Sequence, residues 1–462
     1  MAIGSHSTGA AQLTPEIIES FERRLRGELL RPGQPAYDTA RSIFNAMIDK
    51  RPALIARCKE VSDVQRSLEF AHRHDLLLAV RGGGHNVAGK AICDDGLVID
   101  LTLMRATRVD PAARTVRAEA GLTWGQFDRE TQAHGLATTG GFISTTGIAG
   151  LTLGGGMGWL MRKHGVACDN LKSVQIVTAD GELRSAGETE HADLFWGVRG
   201  GGGNFGIVTS FEYRLHPVGQ MLAGVVFHPL ERAVPALRFF RDFMAAAPDE
   251  VMAYGVFLTS PEGARMFAIP MCYVGPVEKA EQALGPLRSF GPPVADLVQP
   301  MDYIALQSMF DPAFPPGRLN YWKSNFLRGL DDQAIEALVT FFGTVPSPYT
   351  AIALEPLGGA MSRVPVDQTA FPHRTAAFSL LLVSIWVDPA TSAMNVKWTR
   401  ELWSAMQPFA SEAVYVNYLD ADDADRVQSA YEPETYHRLR VLKQRYDPEN
   451  IFRVNQNISP GA

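Results

Sequence analysis

Cysteine is scarce in this chain: four in 462 residues, at Cys58, Cys93, Cys168 and Cys272, with no Cys-x-x-Cys pair among them. That spacing excludes a zinc ribbon and a thioredoxin-like redox motif, and nothing in it requires disulfides. Positive charge is not in excess either. The formal net charge is −7 and no basic run interrupts it, so a nucleic-acid partner, which needs a basic field, is not expected. No uninterrupted apolar stretch reaches the ~18 residues of a membrane span. The first residues are small and polar without the apolar core of a secretory signal. Gly4-Ser5-His6-Ser7 reads as a floppy end, and a soluble, cytoplasmic protein is the expectation. His-Glu-x-x-His is missing, and His72 and His74, two apart on a predicted helix, face different ways; no metal is expected.

What the chain has is length, a hydrophobic content of 46% and 42 glycines. It is too long for one ordinary domain and predicts two or three. Pro15 to Leu30 reads as a short helix. Ser62 with Gln65 has capping-box spacing before the helical period of Val64, Leu68 and Ala71. Leu76 to Val80 and Gly96 to Leu101 read as strands, and Asp110-Pro111 as a hairpin turn before a strand at Thr115 to Ala120. Thr123 with Gln126 opens another helix. Leu171 to Ala179 and Ile207 to Leu215 read as strands, and Ala192 to Val198 as a helix between them. After His216-Pro217 the texture changes: strand-like runs such as Thr375 to Trp386 alternate with helical ones such as Asp331 to Phe342. No internal repeat or low-complexity linker is present.

Three glycine clusters fall within one domain-sized stretch: Gly82–Gly84, Gly154–Gly158 and Gly200–Gly206. Any one of them can be a tight turn. Three together suggest backbone amides gathered around an anion such as a dinucleotide pyrophosphate. None is followed by the Gly-Lys-Ser/Thr of a Walker loop. Gly201, Gly203 and Gly206 match G-x-G-x-x-G, but a helix precedes them and a strand follows. That is the reverse of a Rossmann fingerprint, so a nicotinamide site is rejected.

A resemblance covers nearly the whole chain in the right order. It is carried by Arg81-Gly82-Gly83-Gly84-His85-Asn86, Thr146-Gly147-Ile148-Ala149-Gly150, Leu153-Gly154-Gly155-Gly156-Met157-Gly158, Arg162-Lys163-His164-Gly165, Asp169-Asn170, Asp193-Leu194-Phe195-Trp196, and Arg199 through Phe211. It continues at Tyr415-Val416-Asn417-Tyr418-Leu419-Asp420 and through Tyr446 to Asn457. The chain resembles the berberine-bridge-enzyme-like branch of the vanillyl-alcohol-oxidase family. The resemblance implies an α+β protein: a PCMH-type FAD-binding domain of two α/β subdomains, and a substrate domain whose antiparallel sheet is covered by helices. The implied layout is an N-terminal helical segment at 1–35, the FAD domain at 36–217, the substrate domain at 218–412, and a C-terminal segment at 413–462 that packs back on the FAD domain.

The resemblance also implies an FAD bonded at its 8α-methyl carbon to His85. A neutral imidazole suits that chemistry; the bland alternative is a histidine hydrogen-bonded inside a glycine turn. Many relatives add a cysteine bond just before the Thr-Gly motif. Ile143 stands there, so one tether through His85 alone is expected, with Cys168 read as packing. The remaining cofactor-binding positions implied are Arg81, Gly82, Gly83, Gly84, Asn86, Thr145, Thr146, Gly147, Gly150, Gly154, Gly155, Gly156, Gly158, Asn204, Gly206, Ile207, Val208, Asn455 and Asn457. Tyr418 is the candidate base, with Tyr415 and Asn417 beside it; alternatively all three only line or brace the pocket. A tyrosine base would need its pKa pushed down. Some plant relatives carry Glu or Gln on the strand that here reads Leu380-Leu381-Leu382, so no carboxylate comes from it and an apolar wall is expected. Core packing is the likelier role for at least two of these leucines. Asn320, Tyr321, Trp322 and Lys323 are further pocket candidates.

The implied activity is an oxidase that removes hydride from a CH–OH or CH–NH carbon of a small organic substrate and uses O₂ to give hydrogen peroxide. Small Thr146, where relatives gate oxygen, weakly favours this. The alternatives are a flavin dehydrogenase with another acceptor and a nucleotide-binding protein without turnover. The substrate is not selected, and a monomer or homodimer is the default.

Overall fold

The computed structural model describes residues 13–461; the Gly4-Ser5-His6-Ser7 reading lies outside them. The N-terminal segment is not one helix. Helix Pro15–Glu22 is capped by Thr14, whose hydroxyl accepts from the Ile17 amide. The chain then turns into strand Glu28–Leu30, which pairs antiparallel with Leu54–Arg57. The helix Val61–Arg73 has Glu60, not Ser62, at its N-cap. Buried Asp63 does the local holding: its carboxylate accepts from the amides of Arg26, Gly27 and Lys59. Gln65 instead donates to the Gly181 carbonyl. The Thr123–Gln126 box forms as expected, the Gln126 side chain accepting from the Thr123 amide at 3.0 Å.

Two small sheets come first. In one, strands Leu54–Arg57 and Leu78–Arg81 flank Leu97–Asp100 in parallel, as a strand–helix–strand crossover requires. The Gly82–His85 loop leaves the carboxyl end of Leu78–Arg81, where ligands of parallel sheets bind. The second sheet is antiparallel, in the order Thr107–Asp110, Thr115–Glu119, Ile207–Arg214, Leu171–Val177, Leu183–Gly187.

The third sheet has nine strands. Its centre runs Arg265–Tyr273, Gly255–Thr259, Ala351–Pro356, Phe378–Trp386, Leu319–Leu327, antiparallel throughout. Successive side chains on a strand face opposite ways, and here both directions are apolar. Ile352, Leu354, Leu380 and Leu382 share a core with helices Ala233–Ala246, Asp332–Phe342 and Ser392–Met406. The alternate residues, Ala351, Ala353, Leu381 and Val383, face a cavity instead.

The end of the chain returns to the core of the two small sheets, where Val414, Tyr415, Val416 and Leu419 pack with residues such as Leu54, Leu97 and Phe211. A fully buried ion pair, Lys443–Asp447 at 2.6 Å, helps anchor it. Lys443 also donates to the carbonyls of Asn204 and Phe452, so the ammonium is saturated, as a buried charge must be.

Candidate active site

Between the small sheets and the nine-stranded one lies a cavity of ≈ 770 Å³. Its first wall is mostly backbone. Gly82, Gly83, Gly84, His85, Asn86, Thr146, Gly147, Gly150, Gly201, Gly202, Gly203, Asn204, Gly206, Ile207 and Val208 line it, with Asn455 from the tail. Gly83 and Gly147 let two loops touch: a Cβ on Gly83 would lie 2.3 Å from the Gly147 nitrogen. Gly150 and Gly203 are glycines of another kind. A Cβ there meets no protein atom within 4 Å and would only take up cavity space.

Seven implied positions lie off this lining: Arg81, Thr145, Gly154, Gly155, Gly156, Gly158 and Asn457. The glycines at 154, 155, 156 and 158 lie against protein atoms, while Met157 between them lines the cavity. Side chains there would strike Asn417, Phe371, Ala167 and the Gly140 carbonyl. Arg81 donates to the Ala40 carbonyl. The Asn204 side chain clasps the tail, donating to the Gln456 carbonyl and accepting from the Ile458 amide. Asn455 donates to the Gly203 carbonyl at 3.2 Å.

His85 projects into the cavity between two threonines. Its Nε2 is 2.9 Å from the Thr145 hydroxyl and its Nδ1 3.4 Å from that of Thr146. Phe44 stacks on the ring at 4.4 Å. Burial pushes the imidazole pKa down to about 4, so the ring is neutral and one nitrogen carries no proton at neutral pH. Ile143 lines the cavity and none of the four cysteines does.

The second wall is made of side chains. Tyr254, Val256, Leu258, Phe310, Phe314, Trp322, Leu381 and Val383 are its apolar part. Trp322 is the one lining residue among the four candidates at 320–323. Tyr321 and Lys323 point the other way, onto Asp422, and Asn320 bonds to Asn45. Of the leucine run, only Leu381 reaches the cavity. The carboxylate that this strand lacks comes from its neighbour. Buried Glu355 accepts from the Tyr418 hydroxyl at 2.8 Å, and its other oxygen has no partner among the described residues.

Nothing in the sequence singled out Glu355, Lys90 or Arg318, all of which line the cavity. Burial pushes the Glu355 carboxyl pKa up to about 7. Burial first, and the Glu355 charge next, hold the Tyr418 phenol well above its ordinary value, the opposite of the lowering expected. Tyr418 therefore stays protonated, with a proton acceptor already in place. Tyr415 differs. Its hydroxyl accepts from the Gly156 amide at 2.9 Å and from Asn417 at 2.8 Å. Asn417 also donates to the Leu151 carbonyl. All three residues line the cavity, but the polar groups of Tyr415 and Asn417 are tied to backbone and to each other, whereas the Tyr418 hydroxyl meets Glu355.

The first wall fits a dinucleotide on its own features. Gly150 and Gly203 are open to the cavity, and among the described residues the Asn455 Oδ1 is buried without a partner and Lys90 has no carboxylate within ion-pair distance. Burial and nearby Lys50 hold the Lys90 ammonium below the usual lysine range, a cost that a phosphate beside it would offset. Among the described residues, no cluster of His, Cys, Asp and Glu could hold a metal, and no helix is long and apolar enough to cross a membrane.

Comparison with known proteins agrees with this geometry. Residues 52–187 match the family profile described as an FAD binding domain, and residues 414–459 that described as berberine and berberine like. An FAD-linked oxidoreductase of Dictyostelium discoideum is 31% identical over 459 residues, 98% of each chain. The (R)-6-hydroxynicotine oxidase of Paenarthrobacter nicotinovorans is 31% identical over 455 residues, 94% of this chain and 97% of its own. The solved structure of 6-hydroxy-D-nicotine oxidase from Arthrobacter nicotinovorans superposes with a TM-score of 0.88 at 29% identity, covering 95% of this chain and 98% of that one.

Proposed function

Because this chain belongs to the berberine-like family of FAD-linked oxidoreductases, we propose that it is an oxidase in which His85 tethers the flavin and Tyr418, backed by Glu355, takes the substrate proton. The substrate is a small organic molecule with a CH–OH or CH–NH group. FAD, when bound, would supply the hydride acceptor and the two electrons that, with two protons, would reduce O₂ to hydrogen peroxide in air. The substrate carbon gives up hydride and its O–H or N–H gives up a proton, leaving C=O or C=N.

The protein's part is the proton. Tyr418 accepts it at the hydroxyl oxygen while its own proton passes to Glu355, so no free phenolate is needed. The 2.8 Å contact between the two is the observation that carries this reading. It lies within the reach required for general-base catalysis. The apolar wall excludes water, and Tyr415 with Asn417 fixes the segment that bears Tyr418. His85 suits a tether because it is neutral, held between Thr145 and Thr146, and faces the cavity. Ile143 in place of a cysteine supports a single link.

An anaerobic panel of alcohols, amines, sugars and phenolics, scored by flavin bleaching, tests the activity, and peroxide yield in air tests the acceptor. With a bleaching substrate in hand, Tyr418→Phe lowers the reduction rate by at least ~10²-fold; a loss of only a few-fold removes Tyr418 from the role. For the tether, acid precipitation of the wild type leaves the yellow colour in the pellet, whereas His85→Ala releases it. Colour in the supernatant in both cases sinks the covalent link.

A further inference from the structure

The apolar wall has a charged end that the proton-transfer scheme leaves unused. Of the residues that line the cavity, only Lys90, Arg318 and Glu355 are of a strongly ionising type. Lys90 belongs to the glycine-lined wall and Glu355 is engaged by Tyr418. Arg318 stands with the substrate-side residues, just before the strand Leu319–Leu327 that carries Trp322. Among the described residues its guanidinium makes no ion pair, and its Nη1 is buried without a hydrogen-bond partner. It lies over the Tyr349 ring at 3.7 Å, and Tyr349 is 46% exposed, which puts the pair at the cavity mouth.

This cation is firmly placed. The Ala46 amide donates to the Arg318 carbonyl at 2.9 Å. Asn45 clasps the next turn of chain, donating to the carbonyls of Asn320 and Val87 and accepting from the Asn320 amide. The backbone of Arg318 is thus fixed to the segment whose Phe44 stacks on His85. A guanidinium held this way, stacked on a ring and lacking an anion, offers fixed donors to an oxyanion.

Resting on the oxidation site proposed above, we infer that the substrate is an organic acid. Its carboxylate is held at the mouth by Arg318, and its apolar body reaches inward to Tyr418. The sheet sets the span. Glu355, Ala353 and Ala351 line one face of an extended strand, so Ala351 stands on the order of 13 Å from Glu355, with Tyr349 beyond it. The acid group and the reacting carbon are therefore at opposite ends of the molecule. Burying only the apolar middle leaves the charge close to water, which keeps its desolvation cost small.

The test uses a matched pair of unreactive ligands, 6-phenylhexanoate and 6-phenylhexanamide, titrated by calorimetry into the flavin-loaded protein. The acid binds about tenfold tighter than the amide in the wild type, the scale of a charge-assisted hydrogen bond. Arg318→Gln erases the preference, and Arg318→Lys keeps part of it. Equal binding of acid and amide by the wild type overturns the inference, as does a preference that survives Arg318→Gln. Should Arg318→Gln fail to fold, Tyr349→Leu, which removes the ring beneath the guanidinium, must cut the preference several-fold. The proposed oxidase fails separately, if no compound of the bleaching panel reduces the flavin.

Discussion

The two walls of the cavity are built by different means. The glycine-lined side is loops in which main-chain atoms meet main-chain atoms, with glycine where a Cβ would collide or would take up cavity space. The substrate side is one face of an antiparallel sheet, in which every second side chain is presented and the others are spent on helix packing. A backbone wall suits a ligand that offers phosphates to main-chain amides. A side-chain wall can change its ligand one residue at a time without disturbing the core behind it.

Substitutions that separate the two kinds of glycine sharpen the contrast most. Gly83→Val drives a side chain into the Gly147 backbone, and no soluble folded protein is expected. A Cβ on Gly203 meets no described protein atom within 4 Å, so with Gly203→Val circular dichroism stays native while the bound flavin is lost. If Gly203→Val keeps its flavin, the loop does not face the cofactor.

The parity of the leucine strand gives the next effect. Leu382→Ala leaves a hole on the helix-packed face and costs ~2–5 kcal/mol, read by denaturant unfolding. Leu381→Ala, on the cavity face, costs far less and instead shifts substrate KM. Equal destabilisation would show that Leu381 is core and not wall.

A smaller effect separates bracing from chemistry. Tyr415→Phe removes the acceptor of the Gly156 amide and of Asn417. It destabilises the protein by ~1–3 kcal/mol while flavin reduction stays within a few-fold of wild type. A hundredfold loss of reduction rate with unchanged stability would place Tyr415 in the proton path.

Much of the glycine-lined wall was legible in the sequence because its demands are local. A run of glycines ending in His85 needs only its neighbours to be understood, and the Thr123–Gln126 box is set within four residues. What glycine alone does not say is what it is for. The glycines of Gly154 to Gly158 looked like a ligand loop; in the fold they leave room for Asn417 and Phe371, far away in the chain, and Met157 of that segment lines the cavity. The Ser62 cap failed for a like reason: Asp63 is occupied by amides from residues 26 and 27. Glu355 was invisible for a stronger reason. Its importance depends on sheet order, which sets the strand Ala351–Pro356 beside Phe378–Trp386 and within reach of Tyr418 on the C-terminal segment. One signal was there: within Ala-Ile-Ala-Leu-Glu the acid shares its parity with two alanines and opposes Ile352 and Leu354. That pattern suits a strand with a packed face and an open one.

The rate of anaerobic flavin reduction against pH, for the wild type and Glu355→Gln with one bleaching substrate, tests the proton path most directly. Below a midpoint near the Glu355 value of about 7 the carboxyl carries a proton and cannot accept from Tyr418; above it the carboxylate can. The wild-type rate therefore climbs with pH through about neutrality, and Glu355→Gln is slow and flat across the same range. A wild-type rate that is flat or falls with pH, or a Glu355→Gln variant that keeps the wild-type profile, would contradict the assignment.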